Sequence, residues 1–336
     1  MTKDSMKKAI VFSLALLLVV LPLSGVSSAK EVKRISAASK PAGAYYYNLT
    51  AGLANLIKKY EGIDVTVETF ASPFAYMPLL GRGDIEFCLG VYVDAYQAYH
   101  GLNPFKEKSA LAALANGHEA QFCFWALPNR GINSIKDFEG KRLAWINPVS
   151  TTTTQTAEYM LEMTGMKDKV ITIERPKSFA ATVDLLKEKR IDGFAGPPGS
   201  RLKDVVATYG SVVAIGVSKE VANAVSEKYP YYYGSAVPAG MFKGVDKDVP
   251  CIATGNLLIA HSGISNDLAY RIVKSLYDHV DEFSKVHAYG KRWTLDRAVF
   301  KVPIPYHPGA IKYFKEKNIW SKEAQLIQDN LLKQKQ

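Results

Sequence analysis

The sequence predicts an α/β protein built as two layered lobes with a ligand cleft between them. Three observations carry that expectation. Strand-like and helix-like segments alternate along almost the whole chain, the pattern that builds mostly parallel sheets covered by helices. Two stretches, "RGDIEFCLG" and "EKRIDGFAGP", repeat one order of basic residue, acidic residue, apolar strand and glycine. Several junctions between a strand and the next helix are rich in small, hydroxyl-bearing and aromatic residues, and ligands of open α/β folds sit at such strand ends.

The first 29 residues read as an export signal. Lys7 and Lys8 form a basic start, Ala9 to Leu21 is apolar, and Ser27-Ser28-Ala29 supplies the small residues before a cleavage point after Ala29. The apolar run is short for a spanning helix, which needs about 20 residues; a retained N-terminal anchor is the alternative. No cysteine follows the run to carry a lipid. A periplasmic location is expected.

The mature part is long enough for two lobes of ordinary size. Its elements follow in order. "VKRISAAS" is a strand that opens onto a loop. "YYYNLTAGLANLIKKY" places Leu49, Leu53, Leu56, Ile57 and Tyr60 at helical spacing, and "IDVTVETF" alternates with period two. "FASPFAYMPLL" reads as an irregular loop from Phe70 to Met77 with a short helix from Pro78, because Pro78 would break a helix begun at Pro73. "DIEFCLGV" is a buried strand, and "VDAYQAYHG" a helix closed by Gly101. Near residue 127 the pattern restarts with "KRLAWI", "TTTQTAEYMLEMTG", "KVITIERP", "SFAATVDLLKEKR" and "IDGFAGPP". "SRLKDVVATYG", "SVVAIGV" and "SKEVANAVSEKYP" follow, then the long strand "VPCIATGNLLIA" and one helix, "SNDLAYRIVKSLYDHVDEFSKV".

Composition narrows the function. The chain carries 42 Lys and Arg against 32 Asp and Glu, a net charge of +10. The basic residues are spread in pairs, so nucleic acid is not the expected partner; a mild field attracting small anions is. Cys88, Cys123 and Cys251 each sit in an apolar strand-like run. They read as buried free thiols, with a Cys123–Cys251 bridge open in an oxidising compartment. The histidines are scattered and no metal-ligand spacing or cofactor motif exists. No nucleophile elbow, phosphate loop or zinc-protease motif is present.

Five junctions remain as candidate ligand loops. In "SAASKPAGAYYYN", Gly43 shapes a turn, the following helix offers free N–H groups, and Lys40 either adds charge or faces water. At least one of Tyr45, Tyr46 and Tyr47 belongs to the core. Ser72, Phe74 and Tyr76 can line a pocket, with core packing the rival for the two rings. Tyr92 follows a strand end, and Asp94 two residues on reads as a helix cap or hydrogen-bonding group. Ser150, Thr151, Thr152 and Thr153 open a helix after Pro148, with Thr154 reading as packing. Gly196 lets backbone approach closely beside Pro197.

At these residues the chain resembles a known family, the solute receptors of tripartite ATP-independent periplasmic (TRAP) transporters, of the TAXI type. The likeness covers nearly all of residues 33–320. It rests on "SKPAGAYYYNLTAGLANLI", "PLLGRGDIEFCLG" followed by "DAYQAYHG", "YPYYYGSAVPAGMFKG" and above all "VPIPYHPGAIKYFKEK". The resemblance implies a type II periplasmic-binding-protein fold with a two-strand hinge. The hinge strands would be "EAQFCFWALP" and "VPCIATGNLLIA". Lobe 1 would comprise 30–125 and 255–336, and lobe 2 residues 126–254. It implies a monomeric receptor, not an enzyme, that hands a small organic solute to a membrane permease. Carboxylates and amino acids are the common solutes.

Carried over by position, the ligand residues are Ser39, Lys40, Gly43, Tyr45, Ser72, Phe74, Tyr76, Tyr92, Ser150, Thr151, Thr152, Thr153, Gly196 and Pro197. The first two loops depart from the family pattern, with "ASKPAG" in place of a glycine-rich run and "SPFAY" in place of small and amide residues. Those changes favour a solute with an apolar or aromatic part, or a bulkier wall around a smaller solute. His307, between two prolines, reads as a brace for the last helix, with permease docking as the alternative. An ABC-type or sensor-linked receptor, and a transferase on the same fold, are the competing functions.

Overall fold

Two long antiparallel strands organise the chain: β4 (Leu111–Ala126) and β10 (Val249–His261). In the computed structural model, which describes residues 32–334 apart from Val149, they pair from Ile252 opposite Phe122 to His261 opposite Leu111. The segment read as an export signal lies outside the described residues. Both strands are almost wholly buried, as their near-continuous apolar sequences require.

On one side of this pair lie β1 (Arg34–Ser39), β2 (Asp64–Thr69) and β3 (Phe87–Val91), with β1 parallel to both β2 and β3 and β3 antiparallel to β10. On the other, the C-terminal end of β4 pairs with β7 (Gly193–Gly196) and β8 (Val213–Ile215). Beyond these come β5 (Arg142–Ile146) and β6 (Ile171–Glu174), parallel to each other. The order is β2-β1-β3-β10-β4-β7-β5-β6, with β9 (Tyr233–Val237) on β10. The fold is therefore a two-lobed α/β fold whose lobes are parallel within and joined by antiparallel strands. The alternation in the sequence foretold the parallel parts. It did not reveal the first eight residues of β4, "LAALANGH", nor β9.

Helices cover the sheet as their apolar spacing demands. On the first lobe are α1 (Tyr45–Glu61), α2 (Pro73–Arg82) and α3 (Tyr92–His100). On the second are α4 (Thr151–Met163), α5 (Phe179–Lys187), α6 (Leu202–Tyr209) and α7 (Lys219–Lys228). The chain closes with α8 (Asn266–Tyr277), α9 (Val280–Val286), α10 (Pro308–Glu316) and α11 (Lys322–Lys333). One apolar cluster centres on β1, β3, β10 and helices α1 and α8. A second gathers Cys123, Trp125, Phe194, Leu202 and Val212 under the second lobe.

Three local expectations need correction. The Phe70–Met77 loop is helical: α2 begins at Pro73, directly after Ser72, and runs through Pro78. Proline at the first position loses no helical bond, and Pro78 forfeits one. Burial of Tyr76, Met77 and Leu80 outweighs that loss. The helix expected over residues 265–286 breaks at Asp278 and His279. There the Asp278 carboxylate takes hydrogen bonds from Lys274 and, at 2.7 Å, from the Tyr313 hydroxyl, with Lys317 ion-paired 2.8 Å away. His307 braces α10, the helix before the last: its Nδ1 accepts the Gly309 N–H at 3.1 Å while Nε2 stands 3.1 Å from the Ile264 carbonyl.

Cys88, Cys123 and Cys251 are free and buried. A hydrogen bond between Cys123 and Cys251, together with burial, pushes the Cys123 thiol far above its ordinary range. Where β10 passes the first lobe its backbone comes so close to a ring that no side chain fits. A Cβ on Gly255 would lie 2.3 Å from Cε1 of Tyr92. Gly255→Ala is therefore expected to lower the unfolding free energy by about 1–3 kcal/mol in urea titrations, and adding Tyr92→Leu should restore part of the loss.

Candidate functional site

The carboxyl end of β1, the turn after β2, the end of β3 and the start of α4 open onto one cavity of about 470 Å³, a size suited to a small organic molecule. The first lobe contributes Lys40, Tyr45, Tyr46, Ser72, Phe74, Tyr76 and Asp94. The second contributes Ser150, Thr151, Thr152, Thr153, Lys177 and Pro197, and β4 supplies Ala120 and Phe122. One wall is thus mainly aromatic and the other mainly hydroxyl.

The hydroxyl wall follows from helix-start chemistry. Ser150 is the N-cap of α4: its Oγ accepts the Thr153 N–H at 3.3 Å and the Thr153 hydroxyl at 3.0 Å. Thr154 turns away, accepting the Asn147 N–H at 2.8 Å, so it closes the preceding loop and leaves the cavity to its neighbours. Unused N–H groups of a helix start carry partial positive charge, which suits an anionic or carbonyl group. Behind this wall Arg175 is 5% exposed. Its Nη1 donates to the Ala195 carbonyl at 2.7 Å and its Nε to Thr182 Oγ1 at 3.4 Å. No carboxylate pairs with it among the described residues, and burial lowers its pKa to about 10.

The aromatic wall is built from α1 and α2. Tyr45 and Tyr46 stack with ring centres 4.2 Å apart. The Tyr46 hydroxyl donates to Asn256 Oδ1 on β10, whose amide donates to the His118 carbonyl at 2.9 Å. Beyond Tyr45, His118 accepts the Trp293 indole N–H at Nδ1, 3.1 Å away; burial and nearby cations hold it neutral, with a pKa near 3. Phe74 stands partly exposed at the mouth, in edge contact with Phe105 at 5.5 Å. At the back, the Gln97 amide of α3 donates to Gln155 Oε1 of α4 at 3.4 Å, joining the two lobes.

Of the residues expected from sequence, Lys40, Tyr45, Ser72, Phe74, Tyr76, Ser150, Thr151, Thr152, Thr153 and Pro197 line the cavity. Four do not. Gly43 is an exposed turn residue at φ +94°, with open space around it. Tyr92 is fully buried on the other side of β10, its hydroxyl donating to Asn116 Oδ1 at 2.6 Å, so the residue at the strand end points into the core. Gly196 sits behind the wall, its carbonyl accepting the Trp125 indole N–H at 3.0 Å. Ser39, next to Lys40 in sequence, is buried, and its hydroxyl has no hydrogen-bond partner among the described residues.

Among the lining residues that sequence reading missed or assigned elsewhere are Asp94, Lys177, Tyr46 and, on β4, Phe122. Asp94 lies in the first turn of α3, whose N-cap is Val91, and accepts no hydrogen bond from a described residue. It is 7% exposed, and burial lifts its pKa to about 6, partly opposed by Lys40. Burial also lowers Lys40, partly opposed by Asp94. The Lys40 ammonium stands 4.9 Å from the centre of the Tyr46 ring. The signal for Asp94 was its place two residues beyond an expected binding strand end. Lys177 follows β6, a junction that carried no hydroxyl or glycine cluster.

The profile of one protein family matches residues 36–317, most of the described structure. The chain belongs to the NMT1-like family. Solved structures of similar fold include a TctC solute binding protein from Polaromonas, 14% identical, covering 85% of this chain and 88% of that one with a TM-score of 0.52. PhnD1 from Prochlorococcus marinus (MIT 9301), solved with methylphosphonate, is 11% identical over 85% of this chain and 99% of its own, with a TM-score of 0.51. XAC2383 from Xanthomonas citri, bound to chloride ion, is 12% identical over 88% and 99%, with a TM-score of 0.50. These likenesses establish the two-lobed α/β fold. Among the described residues no helix is long and apolar enough to cross a membrane, and no group of three or more His, Cys, Asp or Glu is placed to hold a metal ion.

The raised pKa of Asp94 has a measurable consequence. The stability that a neutral Asp94 contributes is complete below its unfolded value of 3.8 and is lost as pH rises through about 6. Without solute, Asp94→Asn is expected to be more stable than the parent at pH 7–8, by on the order of 2–3 kcal/mol. The difference should vanish below about pH 4 in melting curves taken across that range.

Proposed function

We propose that this chain is a periplasmic solute receptor of the TAXI type, which captures a small organic solute in the cleft and delivers it to a TRAP permease. The observation that carries the reading is the cavity itself, where a hydroxyl-rich helix start on one lobe faces aromatic rings and two charged side chains on the other. Such opposed walls suit a ligand that touches both lobes, and a ligand touching both favours the closed form over the open one. The receptor identity assigned to the TctC protein of similar fold agrees with it.

In this reading lobe 1 comprises residues 30–125 and 255–336, lobe 2 comprises 126–254, and β4 and β10 act as the hinge. The solute is a carboxylate or amino acid with an apolar or aromatic part set against Tyr45, Phe74 and Tyr76. Its acid group meets the N-terminus of α4 and the Lys40 ammonium. The receptor acts as a monomer after removal of residues 1–29, and no side chain in the cavity is given a catalytic role.

Mass spectrometry of solute released from purified protein is expected to yield one small acid in stoichiometric amount, and adding that compound back should raise the melting temperature. With it in hand, calorimetry should show Lys40→Ala weakening binding roughly 10- to 100-fold, the loss expected for a charge-assisted hydrogen bond, and Thr153→Val weakening it less. Unchanged affinity in Lys40→Ala removes Lys40 from the site. Release of a nucleotide, a polymer fragment or nothing at all speaks against the receptor reading. A membrane permease gene adjoining this one separates TRAP delivery from an ABC importer or a sensor.

A further inference from the structure

The cavity holds two opposite charges that do not satisfy one another. Asp94 is buried and lines the cavity, yet no described residue gives its carboxylate a hydrogen bond or a close ion pair. Lys40 lines the same cavity with its ammonium over the Tyr46 ring, and it too has no hydrogen-bond partner or close ion pair among the described residues. The rings of Tyr46 and Tyr76 line the same cavity as the Asp94 carboxylate. A buried carboxylate without a donor is costly, and so is a half-buried ammonium without an acceptor. Both costs are relieved together by a ligand that brings a donor to one and an acceptor to the other.

We propose that the solute is a zwitterion, with its protonated nitrogen on the Asp94 carboxylate beside the rings of Tyr46 and Tyr76 and its acid group on Lys40. The inference rests on the receptor reading above and narrows its solute class. Aromatic rings in the same cavity strengthen the hold on a cationic nitrogen, as Lys40 over Tyr46 already illustrates. A plain acid fits less well, because it sets a second negative charge beside a buried carboxylate. A plain amine fits less well too, since Lys40 and Lys177 line the same cavity and Arg175 lies behind its second wall. Only a molecule of both signs finds a partner for each end.

The test uses matched sets chosen for the apolar walls. L-Phenylalanine is compared with 3-phenylpropionate, which lacks the nitrogen, and with phenethylamine, which lacks the acid. L-Leucine is compared with 4-methylpentanoate and isoamylamine, and solute released from the purified protein is identified alongside. The expected result is that the released solute carries both groups, and that at least one zwitterion binds about 100-fold more tightly than either of its single-charge partners. Asp94→Asn should bring that zwitterion down to the level of its plain acid, while still melting cooperatively, and Lys40→Met should bring it down to the level of the amine. Four outcomes overturn the inference: a plain acid that binds as tightly as its zwitterion, an Asp94→Asn protein that binds the zwitterion unchanged, a released solute with one charge only, or no binding by any zwitterion. If plain acids bind and zwitterions do not, the receptor reading survives and the zwitterion falls. If no set binds and no solute is released, both fall.

Discussion

Everything in this molecule hangs on the pairing of β4 with β10. These two strands are the only elements of the described structure whose ladders reach both lobes: β10 pairs with β3 at its C-terminal end, and β4 pairs with β7 and β8 at its own. Their burial explains their composition, and their close approach to neighbouring rings explains their glycines. At Gly117 a Cβ would lie 2.3 Å from the Trp293 ring, as tight as the contact between Gly255 and Tyr92. Because both walls of the cavity are fastened to the same pair, Ala120 and Phe122 of β4 form its floor and the two lobes meet over them.

The cavity sets stability against binding in a way general to recognition sites. A side chain that serves only the fold finds its partners within the fold; Asp278, with three donors, and Tyr92, bonded to Asn116, are of that kind. Asp94 and Lys40 find no such partner among the described residues. Each stands in a partly dehydrated place without a hydrogen bond to a described residue, so burial works against its charged form, and the fold carries that cost from the buried apolar surface around it. Arg175 shows a milder form: a carbonyl and a threonine hold its guanidinium in place without neutralising it. It therefore adds a fixed positive potential to the hydroxyl wall.

Much of the fold was legible in the sequence because strand and helix periods were clean and most helix ends carried ordinary signals, such as Gly62, Gly83 and Gly101 in the left-handed conformation. What stayed hidden depended on contacts distant in sequence. The start of β4 reads as "LAALANGH", alanine-rich and suited to a helix, and becomes a strand because β10 supplies its partner. α2 survives Pro78 because Tyr76, Met77 and Leu80, together with Pro73, are buried. In the site, short polar residues at helix starts were easy to recognise, so Ser150 to Thr153 were found. Tyr92 and Asp94 lie two residues apart on one helix and face different surroundings, and only the position of β10 decides which of them meets the cavity.

The Trp125 indole, fully buried, donates its N–H to the Gly196 carbonyl immediately before Pro197 in the cavity wall. Indole emission is sensitive to the local field and to the strength of that hydrogen bond. The second lobe thus contains an intrinsic optical probe, placed one residue behind the surface a solute would touch and shielded from the quenching effects of water. Any displacement of the Gly196 carbonyl would change that bond and with it the indole's colour and intensity, without any label attached to the chain.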